Sequence, residues 1–173
     1  MDQAVEPWVR LECLKRVARE HRVNWFVETG TAAGATLEGM FFDMERLFSV
    51  ELDPSFHHVA NSRVGQYDKV SLSLGHSVPW LGFLMPRILV PCLVYLDAHY
   101  CGQGSAGDEY GTPILDELDA VFSAPIRHLI VVDDARGFGQ WPGYPTIDEV
   151  AILAGRSGYY AKVTADEIEL IPT

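Results

Sequence analysis

Two rhythms of apolar residues alternate along the chain. Short, nearly unbroken apolar runs lie at Asn24 to Glu28, Leu47 to Glu51, Cys92 to Leu96 and His128 to Val132. Continuous runs of this length predict strands buried on both faces of a sheet. Val70 to Leu74 predicts a further strand closed by the turn Gly75-His76-Ser77, and Tyr159 to Val163 and Glu167 to Ile171 predict two short final ones. Between these runs the spacing becomes helical. Trp8, Leu11, Leu14 and Val17 share one face of a helix opening after Pro7. Asp53-Pro54 suits the cap and first position of a helix reaching Val64, with Phe56, Val59 and Ala60 on its buried face and His57-His58 solvated. Thr112-Pro113 opens a helix carrying Ile114, Leu115, Leu118, Val121 and Phe122, and Thr146-Ile147-Asp148-Glu149 is a capping box. Apolar strands alternating with amphipathic helices predict one α/β domain over residues 1–173, its mostly parallel seven-stranded sheet covered by helices on both faces. In such folds a ligand sits beyond the carboxyl ends of the strands. Glu28, Glu51, Asp97, His99, Asp133 and Asp134 all fall there.

Composition narrows the partners. The 173 residues suit one domain, and a 48% hydrophobic content supplies its core. Asp and Glu number 24 against 13 Lys and Arg, a formal net charge of −11 with no basic run, which disfavours a nucleic-acid partner and favours solubility. No apolar run approaches the ~20 residues of a membrane span. Met1 to Pro7 lacks a basic start followed by an apolar stretch, so a cytoplasmic protein is expected. Cys13, Cys92 and Cys101 form no close-spaced ligand pair, which disfavours a zinc ribbon or a disulfide framework.

The first candidate site is Glu28-Thr29-Gly30-Thr31-Ala32-Ala33-Gly34-Ala35-Thr36, a glycine-rich turn between a strand and a helix. Glycines let a ligand approach the backbone, and exposed amides offer donors. The spacing is Gly-x-x-x-Gly, unlike the dinucleotide fingerprint, and the leading carboxylate repels a pyrophosphate but suits a cation. Glu51 ends the next strand, within Val50-Glu51-Leu52-Asp53, where a carboxylate accepts ribose hydroxyls. In Tyr95-Leu96-Asp97-Ala98-His99-Tyr100, Asp97 and His99 are two apart and point the same way on an extended segment, placing a carboxylate and an imidazole at one centre. Asp133-Asp134 ends the adjacent strand, and ordinary turn chemistry with Arg136 pairing to one of them is the other account of that pair.

The acidic-led turn, the acidic end of the second strand and the acidic end of the fourth together resemble the class I, Rossmann-like methyltransferases. The resemblance spans Asn24 to about Ile171. It implies S-adenosylmethionine as cofactor, held by Glu28, Gly30, Thr31, Gly34, Thr36, Glu51, Leu52 and Asp97, with His76 and Ser77 near the adenine. Ser77 as a helix cap is the structural alternative. Asp97, Asp133 and Asp134 are similar to the acidic sets of metal-dependent O-methyltransferases acting on sugars and catechols. That likeness implies Mg²⁺ on those three carboxylates and His99 as the general base, where sugar-modifying members often carry Asp. It further implies a small-molecule acceptor and a homodimer. An NAD-dependent oxidoreductase, disfavoured by the glycine spacing and by the lack of a Tyr-x-x-x-Lys pair, and a catalytically silent binding module of the same fold are the rival readings.

Overall fold

The structure, a computed structural model, describes residues 7–98, 112–164 and 166–173. In chain order the elements are α1 (Pro7–His21), β1 (Trp25–Thr29), α2 (Ala35–Met40), β2 (Arg46–Glu51), α3 (Pro54–Val64), β3 (Val70–Leu74), α4 (Ser77–Leu84), β4 (Leu93–Leu96), α5 (Ile114–Phe122), β5 (Leu129–Val132), α6 (Ile147–Arg156), β6 (Tyr159–Thr164) and β7 (Glu167–Pro172). The seven strands form one sheet in the order β3-β2-β1-β4-β5-β7-β6. All pairings are parallel except those of β7, which runs antiparallel to both β5 and β6.

Two apolar layers hold this sheet. On one face Leu81, Leu118 and Val150, from α4, α5 and α6, pack on Val27, Val94, Ile130 and Leu170. On the other, Leu14 and Val17 of α1, Leu37 of α2 and Val64 of α3 pack on Phe26, Leu47, Leu93, Val131 and Ile171. Successive side chains on a strand alternate between faces, so the α1 face also receives Glu28, Ser49, Glu51, Tyr95, Asp133, Glu167 and Glu169. Each sits two or four residues from one of those apolar anchors or their strand neighbours. Apolar residues thus fill the amino-terminal half of this face and polar ones its carboxyl-terminal half. A site is set up by register alone.

The expected cap and capping box are present. Asp53 accepts from the amides of Ser55 and Phe56, and Thr146 and Glu149 satisfy each other's backbone donors. Four apolar residues assigned to helix faces are instead exposed: Trp8, Phe56, Val59 and Leu115. In α1 the strip facing the sheet runs through Arg10, Leu14 and Val17, and Trp8, two residues from Arg10, points roughly the opposite way. In α3 only Ala60 and Val64 are buried, because α3 lies so close to the glycine turn that a Cβ on Gly34 would be 3.2 Å from that of Ala60. Among the described residues no helix is long and apolar enough to cross a membrane.

Candidate active site

The glycine turn begins where β1 ends. Gly30 and Gly34 both have left-handed backbones, φ +78° and +81°. A Cβ on Gly30 would collide with the Asp97 backbone carbonyl, so the turn after β1 can lie against the end of β4 only with glycine there. The Gly30 amide donates to the Val50 carbonyl at 3.0 Å, and the Gly34 amide to that of Thr31 at 2.9 Å. Thr36 stands in the first turn of α2.

Glu28 lies beneath this turn, 1% exposed. The Ser49 hydroxyl donates to its Oε2 at 2.6 Å, and Thr31 and Ser49 hydroxyls are themselves 2.6 Å apart. Since the Ser49 proton goes to Glu28, Thr31 is the donor of that second bond. Burial pushes the Glu28 carboxyl up to about 8; Asp97 and Glu51 add to the shift, and hydrogen bonds from Ser49 and Thr36 oppose it. Glu51, also buried, accepts the Ala32 amide on Oε2 at 2.7 Å and the Asp53 amide on Oε1 at 2.8 Å. Both oxygens are oriented, and each keeps a second lone pair. Leu52 follows, half-buried. Farther along the same edge, the Gly75 amide donates to the Glu51 carbonyl at 2.8 Å. His76 is exposed at the N-cap position of α4 without a side-chain capping bond, and Ser77 is the first residue of that helix rather than its cap.

The second cluster lies at the ends of β4 and β5. One oxygen each from Asp97, Asp133 and Asp134 lies within 4.8 Å of the others. The cluster also carries two arginines. Arg10 of α1 reaches Asp133 at 2.8 Å and Asp97 at 3.5 Å. Arg136 reaches Asp134 at 2.7 Å, pairs with Asp166 and lies over the Trp141 ring, 5.2 Å from its centroid. The Tyr95 hydroxyl donates to Asp97 at 3.3 Å, and burial beside Asp97 and Asp133 holds its own proton well past the usual range. Burial and the neighbouring Asp97 push the Asp133 carboxyl upward, with Arg10 pulling against that shift. Burial works against the Arg10 charge, but Tyr95, Asp133 and Asp97 outweigh it and raise its pKa. Asp134 has φ +57°, a conformation unusual for a residue with a side chain and often kept at functional sites. His99 lies outside the described residues.

Trp141 and Tyr144 pack edge to face at 5.2 Å, with Tyr144 also against Phe138 at 5.4 Å. Beside Tyr144 is an open depression of about 470 Å³ between the start of α5 and the loop before α6, lined by Thr112, Pro113, Asp116, Tyr144 and Glu149 among others.

The structure therefore brings Glu28, the glycine turn and Glu51 together at one place and Asp97, Asp133 and Asp134 at an adjoining one. The sequence reading missed Ser49, Tyr95 and Arg10. Ser49 and Tyr95 stand two residues before Glu51 and Asp97, so strand alternation alone puts them on the same face. Arg10 stands four residues before Leu14 on the buried side of α1, a charged residue at a core-facing position.

A parallel sheet that closes with an antiparallel β7 between β5 and β6 is not the dinucleotide-binding order 3-2-1-4-5-6. Together with an acidic-led Gly-x-x-x-Gly turn it defines the class I methyltransferase fold. Solved structures agree. The chain superposes on the O-methyltransferase TomG from Streptomyces achromogenes, involved in tomaymycin synthesis and in complex with SAM, at TM-score 0.72 and 20% identity over 99% of this chain and 83% of that one. It superposes on the O-methyltransferase from Bacillus cereus in complex with SAH at TM-score 0.70 and 13% identity, covering 96% and 82%. The 23S rRNA methyltransferase ErmE matches at TM-score 0.59 and 11% identity, covering 99% and 70%. No family model matches the sequence, and no curated relative does. Since a 23S rRNA methyltransferase and an O-methyltransferase involved in tomaymycin synthesis share this fold, what the chain acts on has to be argued from the site.

Proposed function

We propose that the protein transfers the methyl group of S-adenosylmethionine to an oxygen of a small-molecule acceptor. The observation that carries this reading is Glu51, whose two oxygens are held by the Ala32 and Asp53 amides and whose remaining lone pairs suit the two hydroxyls of a ribose. Glu28, buried and held only by neutral donors, suits the cationic end of the same cofactor. The O-methyltransferases with SAM or SAH bound that share the fold support the reading. A net charge of −11 favours a small acceptor over a nucleic acid.

In the reaction, the acceptor oxygen attacks the methyl carbon in line with the sulfur. The C–O bond forms, the C–S bond breaks, and its electron pair stays on sulfur, which leaves as a neutral thioether. The acceptor's proton must go to a base, for which His99 is the residue we assign from its spacing to Asp97. The protein mainly aligns the two reactants.

Mg²⁺ on Asp97, Asp133 and Asp134 is the second reading, favoured by oxygens within 4.8 Å of one another. When bound, such an ion acts as a Lewis acid on the acceptor oxygen. The distances suit an ion but the charges do not, since two guanidinium groups already reach these carboxylates. The steps above therefore need none.

Calorimetric titration with S-adenosylhomocysteine tests the cofactor assignment. Wild type should bind, and Glu51→Gln should bind with a loss of ~1.5–3 kcal/mol, roughly 10- to 100-fold. A wild-type protein that binds NAD but not S-adenosylhomocysteine would overturn the reading.

A further inference from the structure

Sheet register extends the acidic cluster beyond three residues. Ser49, Glu28, Tyr95, Val131 and Glu169 are neighbours across β2, β1, β4, β5 and β7. Two positions nearer the ligand edge, the same face carries Glu51, Gly30, Asp97, Asp133 and Glu167. Glu167 is 1% exposed, and among the described residues neither of its carboxylate oxygens has a hydrogen-bond partner on another residue. A row of buried carboxylates like this is unstable without positive charge.

Helix α1 crosses this row and lowers two arginines onto it. Arg16 pairs with Glu169, and Arg10 pairs with Asp133 and Asp97. The Arg10 charge also lies close enough to Glu167 to oppose the upward shift that burial imposes on it. Arg10 has few alternatives, because its Nε is buried without a hydrogen-bond partner among the described residues and its side chain is only 24% exposed. We propose that Arg10 is the resident cation of this site, standing between Asp97 and Asp133 where a divalent ion would otherwise bind. The assignment deepens the methyl-transfer reading and rests on it for the identity of the site.

One consequence concerns the acceptor. A divalent ion offers open coordination positions that select two neighbouring oxygens, as in a diol or a catechol. A guanidinium committed to two aspartates offers no such pair of positions, so an acceptor with a single hydroxyl suffices. Arg10 is a positioning residue here, acting through Asp97 and Asp133.

The test is Mn²⁺ titration of the full chain, followed by electron paramagnetic resonance, on wild type, Arg10→Lys, Arg10→Met and Arg10→Met/Asp133→Asn. S-adenosylhomocysteine binding is measured in parallel on each. Wild type and Arg10→Lys, which keep the charge, should show no saturable Mn²⁺ binding at millimolar concentration. Arg10→Met should take up one Mn²⁺ per chain, with affinity raised ~100-fold or more by analogy with the 1–3 units that one adjacent charge moves a pKa. Adding Asp133→Asn should abolish that uptake. Stoichiometric Mn²⁺ binding to wild type that Asp133→Asn removes would overturn the proposal, as would an Arg10→Met protein that still binds S-adenosylhomocysteine but gains no Mn²⁺. If Arg10→Met does not fold, wild type and Arg10→Lys decide: saturable Mn²⁺ binding by either overturns the proposal, and its absence in both upholds it. Failure of every protein to bind S-adenosylhomocysteine strikes at the methyl-transfer reading instead and leaves the Mn²⁺ result standing by itself.

Discussion

The two halves of the ligand edge hold their carboxylates by different means. At the ends of β1 and β2, Glu28 and Glu51 are held by neutral donors: the Ser49 and Thr36 hydroxyls and the Ala32 and Asp53 amides. At the ends of β4 and β5, Asp97, Asp133 and Asp134 are reached by guanidinium groups from Arg10 and Arg136. Neutral donors orient a carboxyl group without bringing positive charge to it, so the first half is suited to a positively charged ligand. Guanidinium groups cancel charge as well as orient. The second half already carries positive charge on Arg10 and Arg136 and is suited to a neutral ligand.

The halves touch at Gly30, and a change there should have the largest effect. Gly30→Ala forces a side chain into φ +78° and against the Asp97 carbonyl. Backbone strain and overpacking together are worth roughly 2–6 kcal/mol. Chemical denaturation should show a loss in that range, with S-adenosylhomocysteine binding lost as well. Gly34→Ala meets the Ala60 Cβ at 3.2 Å rather than a backbone carbonyl and should cost less. Equal costs at the two glycines would remove Gly30 as the joint between the halves.

The same division explains what could be read from the sequence. In the first half every partner is local or one strand away. The turn residues span Glu28 to Thr36, and Ser49 and Glu51 alternate on the next strand. Strand period and glycine spacing therefore outlined it, and the parallel direction of most strands followed from the alternation of elements. The second half depends on Arg10, whose partners Asp97 and Asp133 are 87 and 123 residues away. Pairing over such distances comes from packing α1 on the sheet and leaves no local pattern. Arg136 was visible as a partner for the aspartates because it lies two residues from Asp134, whereas its contact with Asp166 again needed the fold. The exposed Trp8 has the same origin: helical spacing fixed a face of α1, but not which face the acidic row would attract.

Asp133→Ala probes the half that has its cation. Of the two ion pairs that Arg10 makes among the described residues, it would leave the partly buried guanidinium only the 3.5 Å contact to Asp97. Stranding a buried charge costs about 3–5 kcal/mol; with Arg10 24% exposed, the expected loss is near the lower bound, about 3 kcal/mol. Arg10→Met in the Asp133→Ala background should recover part of it, because the stranded charge is then gone. A double variant no more stable than Asp133→Ala would show that Arg10 is held by something other than these carboxylates.

Glu28 gives the finest test, since it asks whether the first half is waiting for a cation. Its carboxyl is raised from 4.5 to about 8, by burial first, with Asp97 and Glu51 adding to the shift. The folded protein therefore holds a proton that the unfolded chain releases, and stability falls as pH rises from about 4.5 through about 8. Cofactor binding reverses this preference. A sulfonium and an ammonium beside Glu28 favour its ionised form, so binding below pH 8 should expel the proton. Affinity for S-adenosylmethionine should then rise with pH by at most about tenfold per unit and level off as Glu28 ionises in the free protein. Asp133 is also raised, so wild type alone is ambiguous, and Glu28→Gln isolates the contribution. Calorimetry at pH 7 in two buffers of different ionisation enthalpy counts the protons released on binding. Wild type should release about one more than Glu28→Gln, as expected for a group titrating above the working pH. Equal counts in the two proteins would mean that Glu28 stays protonated beneath the bound cofactor. The carboxylate facing the cation would then be Glu51, with Glu28 serving only as a buried hydrogen-bonding post for the glycine turn.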